Sequence, residues 1–307
     1  MNNLKKIGLS ALAGSLAAFS ANAAEMSVAG SAKVTYFNND GSEVTGNPYG
    51  MNTSLGFTGS GDVNGYETTL FMTMSDQMAG MSSASLSVDL GDMGKLTFDQ
   101  GVGVGGISTI DDMTPSAYEE VWDSLDTAAA DQNGLVGGGN SGVFVYANTI
   151  MDNSFSLQYG KGGSANNTDG GPSGASSASG SSWDFAVTNS SLYDGLTVGA
   201  GYGKIANAGD GGAGNGSDTN EHYTAFAKYT MSGVTVAYQE SMVEDNTSGG
   251  SDEVAQGWGV AVNLMEGLSA SYGEREIEHN HPGAVHVTED QEGFAVAYTM
   301  GSAKIAV

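Results

Sequence analysis

Residues 86–101 read LSVDLGDMGKLTFDQG, two short segments joined by a glycine-bounded turn at 90–94. In the second segment Leu96 and Phe98 oppose Lys95, Thr97 and Asp99. A period of two is the mark of a strand with one apolar and one polar face. The same period extends in both directions from this hairpin. In AGSAKVTYF, Ala32, Val34 and Tyr36 oppose Ser31, Lys33 and Thr35; in SFSLQYG, Phe155, Leu157 and Tyr159 oppose Ser154, Ser156 and Gln158. WDFAVT sets Trp183, Phe185 and Val187 against Asp184 and Thr188, and LTVGAGY sets Leu196, Val198, Ala200 and Tyr202 against Thr197 and glycines. Val234/Val236/Tyr238, Trp258/Val260/Val262/Leu264, Leu268/Ala270/Tyr272 and Phe294/Val296/Tyr298 continue it. The chain is all-β and antiparallel.

The connections alternate as well. Short turns fall near 59–65, 90–94, 148–153, 189–195, 230–233, 263–267 and 299–302, and longer polar connections lie between them, near 38–50, 76–82, 101–140, 161–181, 205–220, 244–253 and 276–290. Turns that are short at one end and long at the other are those of a transmembrane β-barrel. Tyr36, Tyr66, Tyr202, Tyr223, Tyr229, Tyr238, Trp258 and Tyr298 lie near strand ends, where interface girdles belong. The competing fold is a soluble β protein with an ordinary core; the Ser, Thr, Gly and Gln of the second face disfavour it. Fifteen candidate strands are present, the last being SAKIAV. A closed bacterial barrel needs an even number. The expectation is a barrel of 16 strands in the full-length chain, with the C-terminal strand missing here; a shorter barrel, its segments over-split, is the competing count.

Composition agrees with export and with a glycine-rich β fold. Lys5 and Lys6, the apolar stretch Ile7–Phe19 and Ala21-Asn22-Ala23 form an expected signal peptide over 1–23, with the barrel domain over 24–307. Its removal leaves seven Lys and Arg against 35 Asp and Glu. Such a balance excludes nucleic-acid binding, which needs a basic face, and favours cations as partners. The 39% hydrophobic content and its clear period indicate a folded chain despite the charge. There is no cysteine, so disulfides and thiolate chemistry are absent. No later apolar run is long enough for a transmembrane helix. Glycine, at 48 residues, far exceeds an average usage of roughly 7%.

The signal peptide, the opening strand EMSVAGSAKVTYF, the LSVDLGDMGKLTFDQG hairpin and a long acidic loop after the fifth strand together resemble a general-diffusion porin of the Gram-negative outer membrane. The order of elements carries the resemblance, which spans the mature chain. It implies sixteen strands, a homotrimer in outer-membrane lipid, and passive passage of small hydrophilic solutes. It also implies that the third external loop folds inward and narrows the pore.

That loop is 101–140, opening GVGVGGISTIDDMTPSAYEEVWDSL. Gly101, Gly103 and Gly106 have the G-x-G-x-x-G spacing of a dinucleotide site. A Rossmann turn, however, follows a buried parallel strand and opens a helix that holds pyrophosphate. Here the preceding strand alternates, Asp111 and Asp112 would repel phosphate, and Pro115 interrupts a helix begun at the glycines. No cofactor is expected; the glycines let the chain bend inward. Thr114 followed by Pro115 predicts a short helix from about Pro115 to Leu125. Asp111, Asp112, Glu119, Glu120, Asp123 and Asp126 are the candidate acidic residues of a pore constriction; the alternative is a solvated external loop. Alternation turns Lys33, Lys95, Lys228, Arg275 and Lys304 to the polar side as candidate basic residues of the pore wall. Lipid-facing bases cost roughly 2–4 kcal/mol at the midplane. Acids on the loop facing bases on the wall would set a transverse field, and the excess of acid predicts a cation-preferring pore.

Other constellations carry less. EREIEHNHPGAVH (274–286) holds His279, His281 and His286 among glutamates and reads as an exposed loop, since no framework fixes metal ligands. GDGGAGNGSDTN (209–220) matches one unit of a calcium-binding nonapeptide, where stacked copies are required. No G-x-S-x-G occurs and no triad can be nominated, so an outer-membrane barrel enzyme is disfavoured. A surface adhesin or β-solenoid would need a fixed repeat length, and the strand spacing varies.

Overall fold

The computed structural model describes residues 25–36, 48–74, 82–103, 105–120, 141–161, 179–207, 219–246, 252–280 and 286–307. The expected signal peptide, 1–23, lies outside them. The described residues form fifteen strands: β1 (Glu25–Tyr36), β2 (Tyr49–Val63), β3 (Tyr66–Met74), β4 (Ser83–Asp89), β5 (Lys95–Gln100), β6 (Ser141–Ile150), β7 (Asn153–Gly160), β8 (Ser179–Asn189), β9 (Leu196–Asn207), β10 (Thr219–Met231), β11 (Val234–Asp245), β12 (Asp252–Met265), β13 (Leu268–Asn280), β14 (Val287–Met300) and β15 (Ala303–Ala306). The chain divides into two compact units, Met1–Val102 and Gly103–Val307. In the first, β1 to β5 pair antiparallel in chain order. In the second, β6 to β15 do the same.

The short connections are tighter than their sequences suggest. The expected turn at 59–65 reduces to Asn64-Gly65, and β2 runs straight through Gly59 and Gly61 to Val63. Both turn residues have positive φ, 57° and 87°, the twist that joins antiparallel strands without splaying them. A Cβ at Gly65 would meet nothing within 4 Å, so its cost there is purely conformational. Gly65→Val is expected to lower the unfolding free energy by about 1–2 kcal/mol, the penalty of a left-handed L-residue. The urea midpoint of protein refolded in lipid vesicles measures it; an unmoved midpoint would contradict the turn geometry.

The strands also run further outward than expected. Residues 274–280 belong to β13 rather than to an exposed loop. Glu274, Glu276 and Glu278 are exposed while Arg275 and Ile277 are buried, so the period of two persists through a stretch whose charges conceal it.

Alternation in the second unit separates two faces of opposite character. On one face Gln158, Asp184, Thr224, Gln239, Ser241, Ser271 and Arg275 are buried. On the other, Tyr159, Trp183, Tyr238, Trp258 and Phe294 remain 40–69% exposed. A protein surrounded by water buries the apolar set; here the polar set is covered and the aromatic one bare, which suits a lipid surrounding and removes the soluble reading. Aromatic tips on the bare face reach carboxylates. Tyr223 donates to Glu221 at 2.8 Å, Tyr238 to Glu240 at 3.1 Å, and Tyr272 to Glu274 at 2.7 Å. Lys204 pairs with Glu221 at 2.7 Å.

Candidate functional site

The covered polar face owes its cover to the segment after β5. Near the start of this segment, Gly106 takes φ +64° and begins a 3-10 turn over Gly106–Ile110. The expected helix from Pro115 does not form: residues 115–120 are bends and irregular chain, and 121–125 lie outside the described residues. The reason is visible in the contacts. Thr114, the expected cap, donates its hydroxyl to Asp112, and the Ala117 N–H that it would cap is held, like others along this segment, by a wall side chain.

Four such holds follow one another along the loop. Gly106 N–H donates to Ser156 Oγ at 2.8 Å, and Ile107 N–H to Asp184 Oδ1 at 2.7 Å. Met113 N–H donates to Gln239 Oε1 at 2.6 Å, while Gln239 Nε2 donates back to the carbonyls of Ile110 (2.8 Å) and Asp111 (3.1 Å). Ala117 N–H donates to Ser271 Oγ at 2.8 Å. Apolar contacts fill the intervals. Ile110 packs on Ala186 and Phe226, and Ala117 on Ala295 and Ala297. Pro115 lies over Gly259, where a Cβ would stand 3.1 Å from the proline Cδ.

This docking places the candidate acids. Asp112 Oδ1 accepts from Thr114 N–H at 3.2 Å and Thr114 Oγ1 at 3.0 Å. Asp111 and Asp112 face Gln239, Ser241 and Arg275 across a gap of ≈ 20 Å³. Burial lifts the Asp111 carboxyl above the ordinary carboxylate range, and the charge of Glu120 adds to the shift. Burial lifts Asp112 too, with Asp111 contributing, although hydrogen bonds from Thr114 oppose it. Glu119 and Glu120 border a cavity of ≈ 250 Å³ against Ser271 and Gly273. Asp123 and Asp126 lie outside the described residues.

The candidate bases are distributed unevenly. Arg275 is buried on the loop-bearing face of β13, within the fields of Asp112, Glu289 and Glu253. Lys304 on β15 stands over the Tyr118 ring, 5.3 Å from its centroid. Lys228 shares the face of β10 that carries His222, Thr224 and Phe226. Lys33 and Lys95 belong to the first unit, each in phase with the polar positions of its own strand. The wall residues that hold the loop were not among the candidates. Ser156, Asp184, Gln239 and Ser271 have the right strand phase, but their partners are 50 to 154 residues away, and nothing local marks them. Of the histidines, His279 contacts Glu253 at 3.0 Å and His286 contacts Asn280; His281 lies outside the described residues. Among the described residues no group of three or more His, Asp or Glu is arranged to hold a metal.

A two-faced antiparallel sheet with a loop docked on its polar side is the arrangement of a channel-forming outer-membrane β-barrel. The chain belongs to the Gram-negative porin family, whose model matches residues 8–305. Among solved structures it is similar to the anion-selective porin of Comamonas acidovorans (15% identity, 92% of this chain and 88% of that one, TM-score 0.58). It is also similar to Salmonella typhi OmpF in complex with daunomycin (16% identity, 91% and 86%, TM-score 0.57) and to the outer-membrane channel DcaP of Acinetobacter baumannii (10% identity, 92% and 89%, TM-score 0.55). No curated protein sequence matches the chain. Its place is therefore the outer membrane, as a porin.

Proposed function

We propose that this porin is a water-filled, cation-preferring channel for the passive diffusion of small hydrophilic solutes, built as a homotrimer and exported by the signal peptide at 1–23. It carries out no covalent chemistry in this reading. The docked loop is its constriction. The observation that supports cation preference is the position of Asp111 and Asp112, held toward Arg275 by Gln239 and Thr114 rather than projecting into bulk water. One base faces several acids there, and carboxylate rings favour cations. The Comamonas protein is described as anion-selective; the preference proposed here rests on this chain's own charges, not on the shared fold.

The test is a reversal potential in a salt gradient across a planar bilayer, followed over pH. Asp111 and Asp112 hold protons more tightly than water-exposed carboxylates do. As pH falls they are therefore neutralised first, and cation preference is expected to begin falling above the pH range where exposed carboxylates titrate. Linkage has a matching sign. A raised carboxyl pKa favours the docked loop below the ordinary carboxylate pKa, and this gain is lost as pH rises through the raised value. A reversal potential that stays constant until ordinary carboxylates titrate would remove Asp111 and Asp112 from the constriction. Absence of ohmic steps would remove the channel reading itself.

A further inference from the structure

One buried charge in the second unit belongs neither to the acids of the loop nor to the bases of the wall. Asp184 projects from β8 onto the loop-bearing face and is 1% exposed. Its Oδ1 accepts from Ile107 N–H at 2.7 Å and its Oδ2 from Gln158 Nε2 at 3.3 Å, both neutral donors. Gly106 is moulded to it: a Cβ there would stand 1.6 Å from Asp184 Oδ1 and 2.9 Å from the Gln158 Cβ. On the other side Gly203 gives way, where a Cβ would lie 2.8 Å from the Asp184 Cβ.

The other three holds on the loop use neutral acceptors, two serines and a glutamine. A buried carboxylate is costly unless it is well hydrogen-bonded, so its use at this one point calls for a reason. Hydrogen bonds to a charged acceptor are shorter and roughly twice as strong as neutral ones. This bond is made at the root of the loop, where a small change of direction displaces everything downstream, Asp111 and Asp112 included. We infer that Asp184 is the positioning residue of the constriction loop: its carboxylate clamps the Gly106–Ile107 backbone to the wall and so sets where the loop's acids stand. The inference rests on the loop being the constriction.

Three variants of the full chain test it. Asp184→Leu removes the acceptor, and Gly106→Ala strikes the carboxylate from the loop side while leaving β8 untouched. Asp184→Asn keeps an acceptor for Ile107 in the same shape. Loss of a charge-assisted hydrogen bond is expected to raise the undocked population roughly 10- to 100-fold. Asp184→Leu and Gly106→Ala should both show frequent brief steps to higher conductance, with Asp184→Asn, which keeps a neutral acceptor but not the charge, intermediate between them and wild type. Hydrogen exchange over residues 105–113 reads docking independently of conductance, and circular dichroism confirms the folded state. The inference is overturned if 105–113 is unprotected in the wild type, if folded Asp184→Leu or Gly106→Ala keeps wild-type protection, or if Asp184→Asn protects 105–113 as fully as the wild type. Protection without ohmic channels overturns only the channel reading.

Discussion

Replacing Asp111, Asp112, Glu119 and Glu120 together by their amides is expected to abolish most of the cation preference while leaving the channel open. Each ionised carboxylate attracts a monovalent cation 4 Å away by about 1 kcal/mol even in water-like surroundings, a factor of about five in local concentration. Arg275 and Lys304 would remain, so the transverse field should weaken and lean toward anions. The change appears as a reversal potential moving toward or past zero in a salt gradient, at nearly unaltered single-channel conductance. Amides preserve the side-chain volume and the Asp112 acceptor for Thr114, so docking is not the variable. A reversal potential equal to that of the wild type would place the selectivity elsewhere, in the wall or in residues 121–140.

Gln239→Leu is expected to release the middle of the loop. Gln239 joins four groups: it accepts from Met113 N–H and donates to the carbonyls of Ile110 and Asp111 and to Thr224 Oγ1 (2.9 Å). Leucine fits the volume and meets none of them. A buried backbone group left without a partner costs about 1–3 kcal/mol, and at least the Met113 N–H and the Ile110 carbonyl lose theirs. The loop can escape that penalty only by leaving the wall, which also uncovers Ile110 and Phe226. Two measurements follow it, protease susceptibility near 110–120 and the open-channel current noise, both of which should rise. Gln239→Glu separates packing from hydrogen bonding: it keeps the acceptor for Met113 but loses the Nε2 donor, and should be intermediate. Wild-type noise in the leucine variant would show that Gln239 is incidental.

The strands were readable because alternation is a local signal, two residues long, and this chain repeats it fifteen times over. Reading failed where charge and periodicity pulled apart. EREIEHN looks like a solvated loop by composition, yet Ile277 is wholly buried one position from Glu276 and Glu278. GSGDVNG reads as a turn throughout, yet only Asn64 and Gly65 turn. At the site the acids were visible as types but not as positions. Thr114-Pro115 is a sound start for a helix in isolation, but Thr114 gives its hydroxyl to Asp112 and Ser271 takes the Ala117 N–H that Thr114 would have capped. The G-x-G-x-x-G spacing did mark a place where glycine and acid meet, but the acid is Asp184, 78 positions from Gly106 and on β8.

The contacts between aromatic tips and carboxylates on the bare face bear on how deep this molecule rides. Tyr223, Tyr238 and Tyr272 each tie an acid two positions away on their own strand, in each case on the side of the longer connection. Strands advance about 3.4 Å per residue, so the step from hydrocarbon-compatible ring to water-requiring charge spans only about 7 Å along each strand. Sinking the protein by that much would drag Glu221, Glu240 and Glu274 past the headgroups; lifting it would strand the rings in water. Vertical position is thereby set by side chains of the sheet itself.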